Sequence, residues 1–107
     1  SSSGVVSVDM NSGNVGTITL SENVTDIDFT NVPTSGAVSF VLQITQDSSD
    51  RTVAINAITV NAGSHVTAKT VGAGGYTMTT GSGKIDIVTF IFFNAGTPHL
   101  NALQDMG

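Results

Sequence analysis

Apolar and polar residues alternate with a period of two along most of this sequence, and that pattern limits the folds open to it. Ile27 and Phe29 alternate with Asp26 and Asp28, and residues 6–10 follow the same pattern. Successive side chains of a β-strand point to opposite faces, so this period is typical of strands with one buried face and one wet face. The β-branched and aromatic residues that carry the pattern also favour strands. The sequence therefore predicts an all-β fold with minimal helix.

Turn-forming residues separate the alternating segments at intervals of about ten residues. The run Asn11–Asn14 lies between the apolar segments 6–10 and 15–20, which predicts a first β-hairpin. Pro33 and Gly36 mark the next break, because proline fixes φ and glycine permits left-handed backbone. Several short strands joined by such turns favour an antiparallel β-sandwich of the jelly-roll kind.

Composition narrows the class of protein. Only 10% of the 107 residues are charged, and the net charge is −5. This length predicts a single β-sandwich domain over residues 1–107, and a start at Ser1 rather than Met indicates a fragment or processed product. Three basic residues cannot neutralise a run of phosphates, so we expect no nucleic-acid partner. We also expect no membrane span, because the longest apolar run is less than half of the about 20 residues that a transmembrane helix needs.

Two segments are the best candidates for the core or for contacts between subunits. One is residues 40–44, in the segment that follows Gly36. The other, residues 85–93, is apolar on both faces, as a strand in the middle of a sandwich or at a subunit interface requires. The candidate core and interface residues are Phe40, Leu42, Ile44, Ile85, Ile87, Phe90 and Phe92. The candidate surface-loop residues are Asp47, Asp50, Arg51 and Tyr76.

The sequence predicts no enzyme, no cofactor and no metal site. Asp26 and Asp28 would lie on one face of a strand, about 7 Å apart, whereas paired catalytic carboxylates usually come from different elements and meet in a cleft. A cation held by Asp47 and Asp50 is an open alternative, although Arg51 already offers charge compensation. The two histidines are far apart, there is no cysteine, and no Gly-x-Ser-x-Gly elbow is present.

The order of motifs from residue 17 to residue 93 resembles a C-terminal β domain of tail-fibre and related appendage proteins of tailed bacteriophages. A TITL strand is followed by NVTDIDFTNVP, a turn of small residues, an SFVLQITQD strand, a polar tip and RTVAI. After a glycine-rich segment, a KIDIVTF strand precedes NAGTP. The resemblance covers most of the chain.

The resemblance implies a structural module of a virion, with no catalytic residues to carry over. It implies a homotrimer or another symmetric assembly, contacts with other virion proteins, and a location in the extracellular particle as a tail fibre, an appendage or a head decoration. Residues 47–51 and 72–76 would then be variable tips available to a host surface, including its glycans. The alternative from a different class is a carbohydrate-binding or adhesin-like module of a secreted protein.

Overall fold

The computed structural model describes residues 3–106, and in that range it contains β-strands and short 3-10 turns but no α-helix. The strands are β1 (Val5–Asp9), β2 (Val15–Thr19), β3 (Asp26–Thr30), β4 (Ala37–Thr45), β5 (Ile58–Val60), β6 (Ile85–Phe93) and β7 (His99–Leu103). The 3-10 turns are Met10–Ser12 and Val71–Ala73. The prediction of a mostly-β domain with minimal helix is confirmed.

The strands form two sheets. One, the parallel sheet, has the order β1-β3-β5 with every pair parallel. The other, the mixed sheet, has the order β2-β4-β6-β7, in which β2 and β4 are parallel and the remaining pairs are antiparallel. The chain crosses to the opposite sheet after each of the first five strands. It therefore winds around the core, and strands from successive turns of that winding lie side by side and run parallel.

The pairing departs from the predicted antiparallel jelly roll. Among the described strands, antiparallel neighbours occur only where β6 joins β4 and β7, so the fold is not a clear antiparallel jelly roll. The predicted first hairpin is an arch, in which Met10–Ser12 carries the chain from one sheet to the other. The Asp9 carboxylate accepts a hydrogen bond of 2.9 Å from the Asn11 backbone and so caps this turn. Alternation predicts which face of a strand is buried, but not whether the next strand lies beside it or opposite it.

The core lies between the two sheets and is centred on aromatic rings. Phe29 of β3 contacts three phenylalanines of the mixed sheet, with ring centroids 6.0 Å from Phe40, 5.1 Å from Phe90 and 4.9 Å from Phe92. All three pairs have the edge-to-face geometry that aromatic rings prefer. These contacts join the two sheets and explain why the inward side of β3, β4 and β6 is buried.

The two ends of this winding differ. After β5, Val66 forms a bridge with Ile58, and Lys69 forms a bridge with His99. The segment after β5 therefore covers the far edges of both sheets through isolated bridges. At the opposite end, β1 is the edge of the parallel sheet and β2 is the edge of the mixed sheet. No other strand of residues 3–106 pairs with the free side of either edge.

Candidate interaction surface

The outer face of the mixed sheet carries a set of large apolar side chains. We call it the apolar face, and its members are Val41, Ile85, Ile87, Ile91, Phe93 and Leu103. Phe93 and Leu103 are 54% and 56% exposed, and the other four are half-buried. Both described sheets contribute their inner faces to the core, and the described part of the chain places no strand over the apolar face.

Strand β6 creates this face because it is apolar at almost every position. Its even-numbered positions Val88, Phe90 and Phe92 are buried in the core, so the odd-numbered positions turn to the other side of the sheet. The antiparallel register sets Ile87 opposite Leu103, which enlarges the patch across two strands. An apolar face on a small domain is the kind of surface that marks an interaction site.

The predicted core and interface residues divide between the two faces of the mixed sheet. The buried members are Phe40, Leu42, Ile44, Phe90 and Phe92, all of which belong to the core cluster. Ile85 and Ile87 lie on the apolar face instead. Whether a position is odd- or even-numbered along its strand therefore decides which of the predicted residues are in the core and which lie on the outer face.

Four members of the apolar face were not among the predicted site residues. Val41, Ile91 and Phe93 are each next in sequence to a residue that was predicted, and their outward positions follow once Phe40 and Phe92 fix the strand phase. Leu103 was not predicted, because its three-residue spacing from Leu100 is typical of a helix. In the structure both belong to β7, where Leu100 is buried and Leu103 is exposed.

The candidate loop residues near position 50 bind one another and their neighbours. The Arg51 Nε donates to Asp47 Oδ2 at 2.8 Å, and this hydrogen bond holds the pKa of Asp47 below its ordinary value. Asp50 Oδ1 accepts a 2.8 Å hydrogen bond from the backbone of Gly81. The buried side chain of Gln46 accepts from the Arg51 backbone at 3.0 Å. This loop is therefore ordered by its own polar contacts.

Tyr76, the remaining predicted loop residue, is half-buried rather than at a loop tip. Its hydroxyl donates a 2.7 Å hydrogen bond to the fully buried carboxylate of Asp86. Asp86 also accepts from the backbone and hydroxyl of Thr79, at 3.0 and 2.7 Å, and from the backbone of Asp105 at 3.0 Å. The Gln104 amide donates to it at 3.2 Å. This carboxylate joins three segments of chain.

The surroundings of Asp86 and Tyr76 determine the direction in which each pKa is shifted. Burial by itself raises the pKa of Asp86, but the hydrogen bonds from the backbones of Thr79 and Asp105 and from the side chains of Thr79 and Tyr76 together outweigh burial and leave the pKa below its ordinary value. Burial, aided by the Asp86 carboxylate, raises the pKa of Tyr76. A carboxylate whose oxygens are occupied by five donors serves structure rather than proton transfer.

Asp26 and Asp28 occupy the outer side of β3, as the alternation predicted, and both are half-buried. Asp26 Oδ1 accepts a 3.2 Å hydrogen bond from Thr59 and lies 4.0 Å from His65 Nε2. Across residues 3–106, no group of three or more His, Cys, Asp or Glu side chains has the arrangement of a metal site. Within the same residues, no helix is long and apolar enough to cross a membrane.

Comparisons with known proteins give this chain no relative. No protein-family model, no curated protein and no solved structure matches it.

Proposed function

We propose that this chain is a non-enzymatic structural domain of a bacteriophage particle, part of a tail fibre, an appendage or a head decoration, and that it works by symmetric self-association. The observation that carries the self-association is the apolar face of the mixed sheet. Ile87 and Leu103 pair across adjacent strands of this face, and Phe93 is more than half exposed at its end. Exposure of such a patch to water is unfavourable, so covering it with another copy stabilises the assembly.

The virion assignment has a separate basis. It is supported by the motif order from TITL through SFVLQITQD to KIDIVTF and NAGTP, which resembles phage appendage domains. On this proposal the partners are other copies of the chain, in a homotrimer or another symmetric assembly, and neighbouring virion proteins. The loop around Asp47 and Arg51 faces away from the core and is the proposed contact with a host surface and its glycans.

We do not favour a carbohydrate-binding module, because of Tyr76. Sugar-binding domains commonly present an exposed aromatic ring as a stacking platform. The one tyrosine of this sequence is half-buried and its hydroxyl is bound to Asp86. The other aromatic residues are phenylalanines, of which all but Phe93 are buried in the core.

A charge placed on the apolar face tests the self-association. We expect Ile87→Asp to shift the solution mass toward that of the 10.9 kDa monomer, because a carboxylate enclosed between two copies loses several kcal/mol of hydration. The measurement is light scattering at one fixed concentration. Ser64→Asp, at an exposed loop position, is the control and should leave the mass unchanged. Equal masses for the wild type and Ile87→Asp would contradict the proposal.

A further inference from the structure

We propose that the end of the sandwich formed by the edge strands β1 and β2 is a second contact between copies of this chain. In this contact β1 pairs with β1 of a second copy and β2 pairs with β2 of that copy, both antiparallel, around one two-fold axis. The inference rests on the proposed function in that both require self-association, but it uses a different surface from the apolar face.

The two edges have unpaired backbone groups, and the hydrogen bonds on their inner sides show which ones. In β2, the Asn14 carbonyl accepts from Val41 and the Leu20 amide donates to Thr45, each at 2.9 Å. Even-numbered residues of β2 therefore face β4, and by the alternation of a parallel ladder the amides and carbonyls of Val15, Thr17 and Thr19 face outward.

The same reasoning applies to β1. The Gly4 carbonyl accepts from the Asp26 amide at 3.3 Å, so the even-numbered residues of β1 face β3. The free groups are then those of Val5, Ser7 and Asp9. Unpaired edges of this kind recruit another strand unless the fold covers them.

The space between the two edges opens into the core. A cavity of about 340 Å³ lies there, and its apolar lining includes Val6, Val8, Gly16, Ile18, Phe40 and Leu42. Gly16 has no side chain to close the opening. A Cβ at this position would lie 2.9 Å from Cζ of Phe40, so the packing of Phe40 requires glycine here and leaves the edge open. Covering this end would remove the lining of the cavity from water.

The residue pattern of each edge is complementary to itself. With β2 paired about Thr17, Gly16 lies opposite Ile18 of the second copy, so that side chain would cover the Phe40 ring that fills the space beside Gly16. With β1 paired about Ser7, Val6 lies opposite Val8 of the second copy and both point inward. Asp9 then lies opposite Val5 rather than opposite a second Asp9, which avoids a like-charge pair.

The two pairings are compatible with one axis. Ser7 and Thr17 are the central residues of five-residue strands that lie on facing edges of the same end. Both carry outward backbone groups, so each self-pairing gives about six hydrogen bonds and the two together about twelve. Because both edges have an outward-facing central residue, a second copy of the chain can pair with both at once, and it is the occupant that we propose.

The size of the contact sets its strength. Two edges about 17 Å long and about 10 Å apart cover a footprint on the order of 300 Å² per copy. A standard stable interface covers about 800 Å² per partner, so this contact is at the small end and its dissociation should be visible on dilution. Its backbone hydrogen bonds fix geometry more than they add affinity.

A cysteine at the axis tests the pairing directly, because the natural sequence has no cysteine. At a hydrogen-bonded antiparallel pair the Cα atoms are about 5.5 Å apart and the Cβ atoms are too far apart for an unstrained disulfide, so a short bifunctional thiol-reactive reagent is used in place of oxidation. We expect Ser7→Cys to form a covalent dimer with this reagent. Ser64→Cys, at an exposed loop position away from both edges, should not.

A proline in β2 tests the pairing at the other edge independently. Thr17 is exposed and its amide faces away from β4, so Thr17→Pro is tolerated within the sheet but blocks a neighbouring strand. We expect it to lower self-association measured by light scattering.

If the wild type associates but Ser7→Cys gives no covalent dimer and Thr17→Pro keeps the wild-type mass, this inference is overturned while the apolar face remains the proposed contact. If Ser7→Cys forms dimers in which Ile87→Asp has no effect, the edge contact stands and the apolar-face proposal fails.

Discussion

At the scale of single residues, the carboxylate of Asp86 has the most structural consequence. It lies on the inward side of β6, where every neighbouring inward position is apolar. Its charge is accommodated because Tyr76, Thr79, Gln104 and Asp105 supply donors from segments that have few strand hydrogen bonds of their own. A buried carboxylate with such donors fixes the glycine-rich segment and the chain after β7 against the mixed sheet.

Asp86→Asn should therefore destabilise the domain. An amide places an NH₂ group among donors that need an acceptor, so we expect the free energy of unfolding at neutral pH to fall by about 2–4 kcal/mol. The measurement is urea denaturation. Asp50→Asn, at an exposed residue, is the control and should change it by less than about 1 kcal/mol. The account of Asp86 is wrong if both variants unfold alike.

The sign of the pH dependence follows from the lowered pKa of Asp86. Its contribution is fully present above the ordinary aspartate pKa of about 3.9 and is lost as the pH falls through the lower value in the folded state. Wild-type stability should decline on acidification below about pH 4, and Asp86→Asn should show a smaller decline over the same range.

At the scale of elements, the sequence predicted most strands but not their partners. The alternation at Ile27 and Phe29 and the double-sided apolar run of β6 fix strand position and phase. Equivalent strands, however, are separated by unequal stretches of chain: Val5 pairs with Asp26, 21 positions on, whereas Val15 pairs with Val41, 26 positions on. Because the connecting arches differ in length, no constant period reveals the winding.

The apolar face and the open edges were predictable to different degrees. The double-sided apolar character of β6 follows from its composition alone. The edge position of β1 and β2 does not, because it depends on which strands end the winding.

The arch between β3 and β4 is anchored at Val32 by an asparagine side chain that the pattern of strands does not predict. Asn61 Oδ1 accepts from the Val32 amide and Asn61 Nδ2 donates to the Val32 carbonyl, both at 2.9 Å. Val32 is only 3% exposed, so its backbone groups depend on this pair. Asn61 also has φ of 50°, a left-handed conformation that asparagine tolerates better than most residues.

We expect Asn61→Ala to lower the free energy of unfolding by about 2–3 kcal/mol, because two buried backbone groups lose their partners and alanine is less tolerant of positive φ. Thermal or urea denaturation checks this. Asn56→Ala, at an exposed position before β5, serves as the matched control. An equal effect of the two substitutions would show that the Asn61 contact does not hold the arch.

At the scale of the whole molecule, the net negative charge of the chain opposes the proposed self-association. Each copy carries a net charge of −5, so copies repel one another over a distance that salt shortens, from about 30 Å at 0.01 M to about 8 Å at 0.15 M. The contacts proposed here are apolar side chains and strand backbone, which salt does not weaken in this way. Self-association should accordingly be stronger at physiological salt than at low salt.

Sedimentation of the wild-type chain over a dilution series at these two salt concentrations tests the central claim of self-association. We predict a mass that is a multiple of 10.9 kDa at high concentration and falls toward 10.9 kDa on dilution, with the transition at higher protein concentration in low salt. A mass of 10.9 kDa at every concentration and both salt levels would contradict the claim.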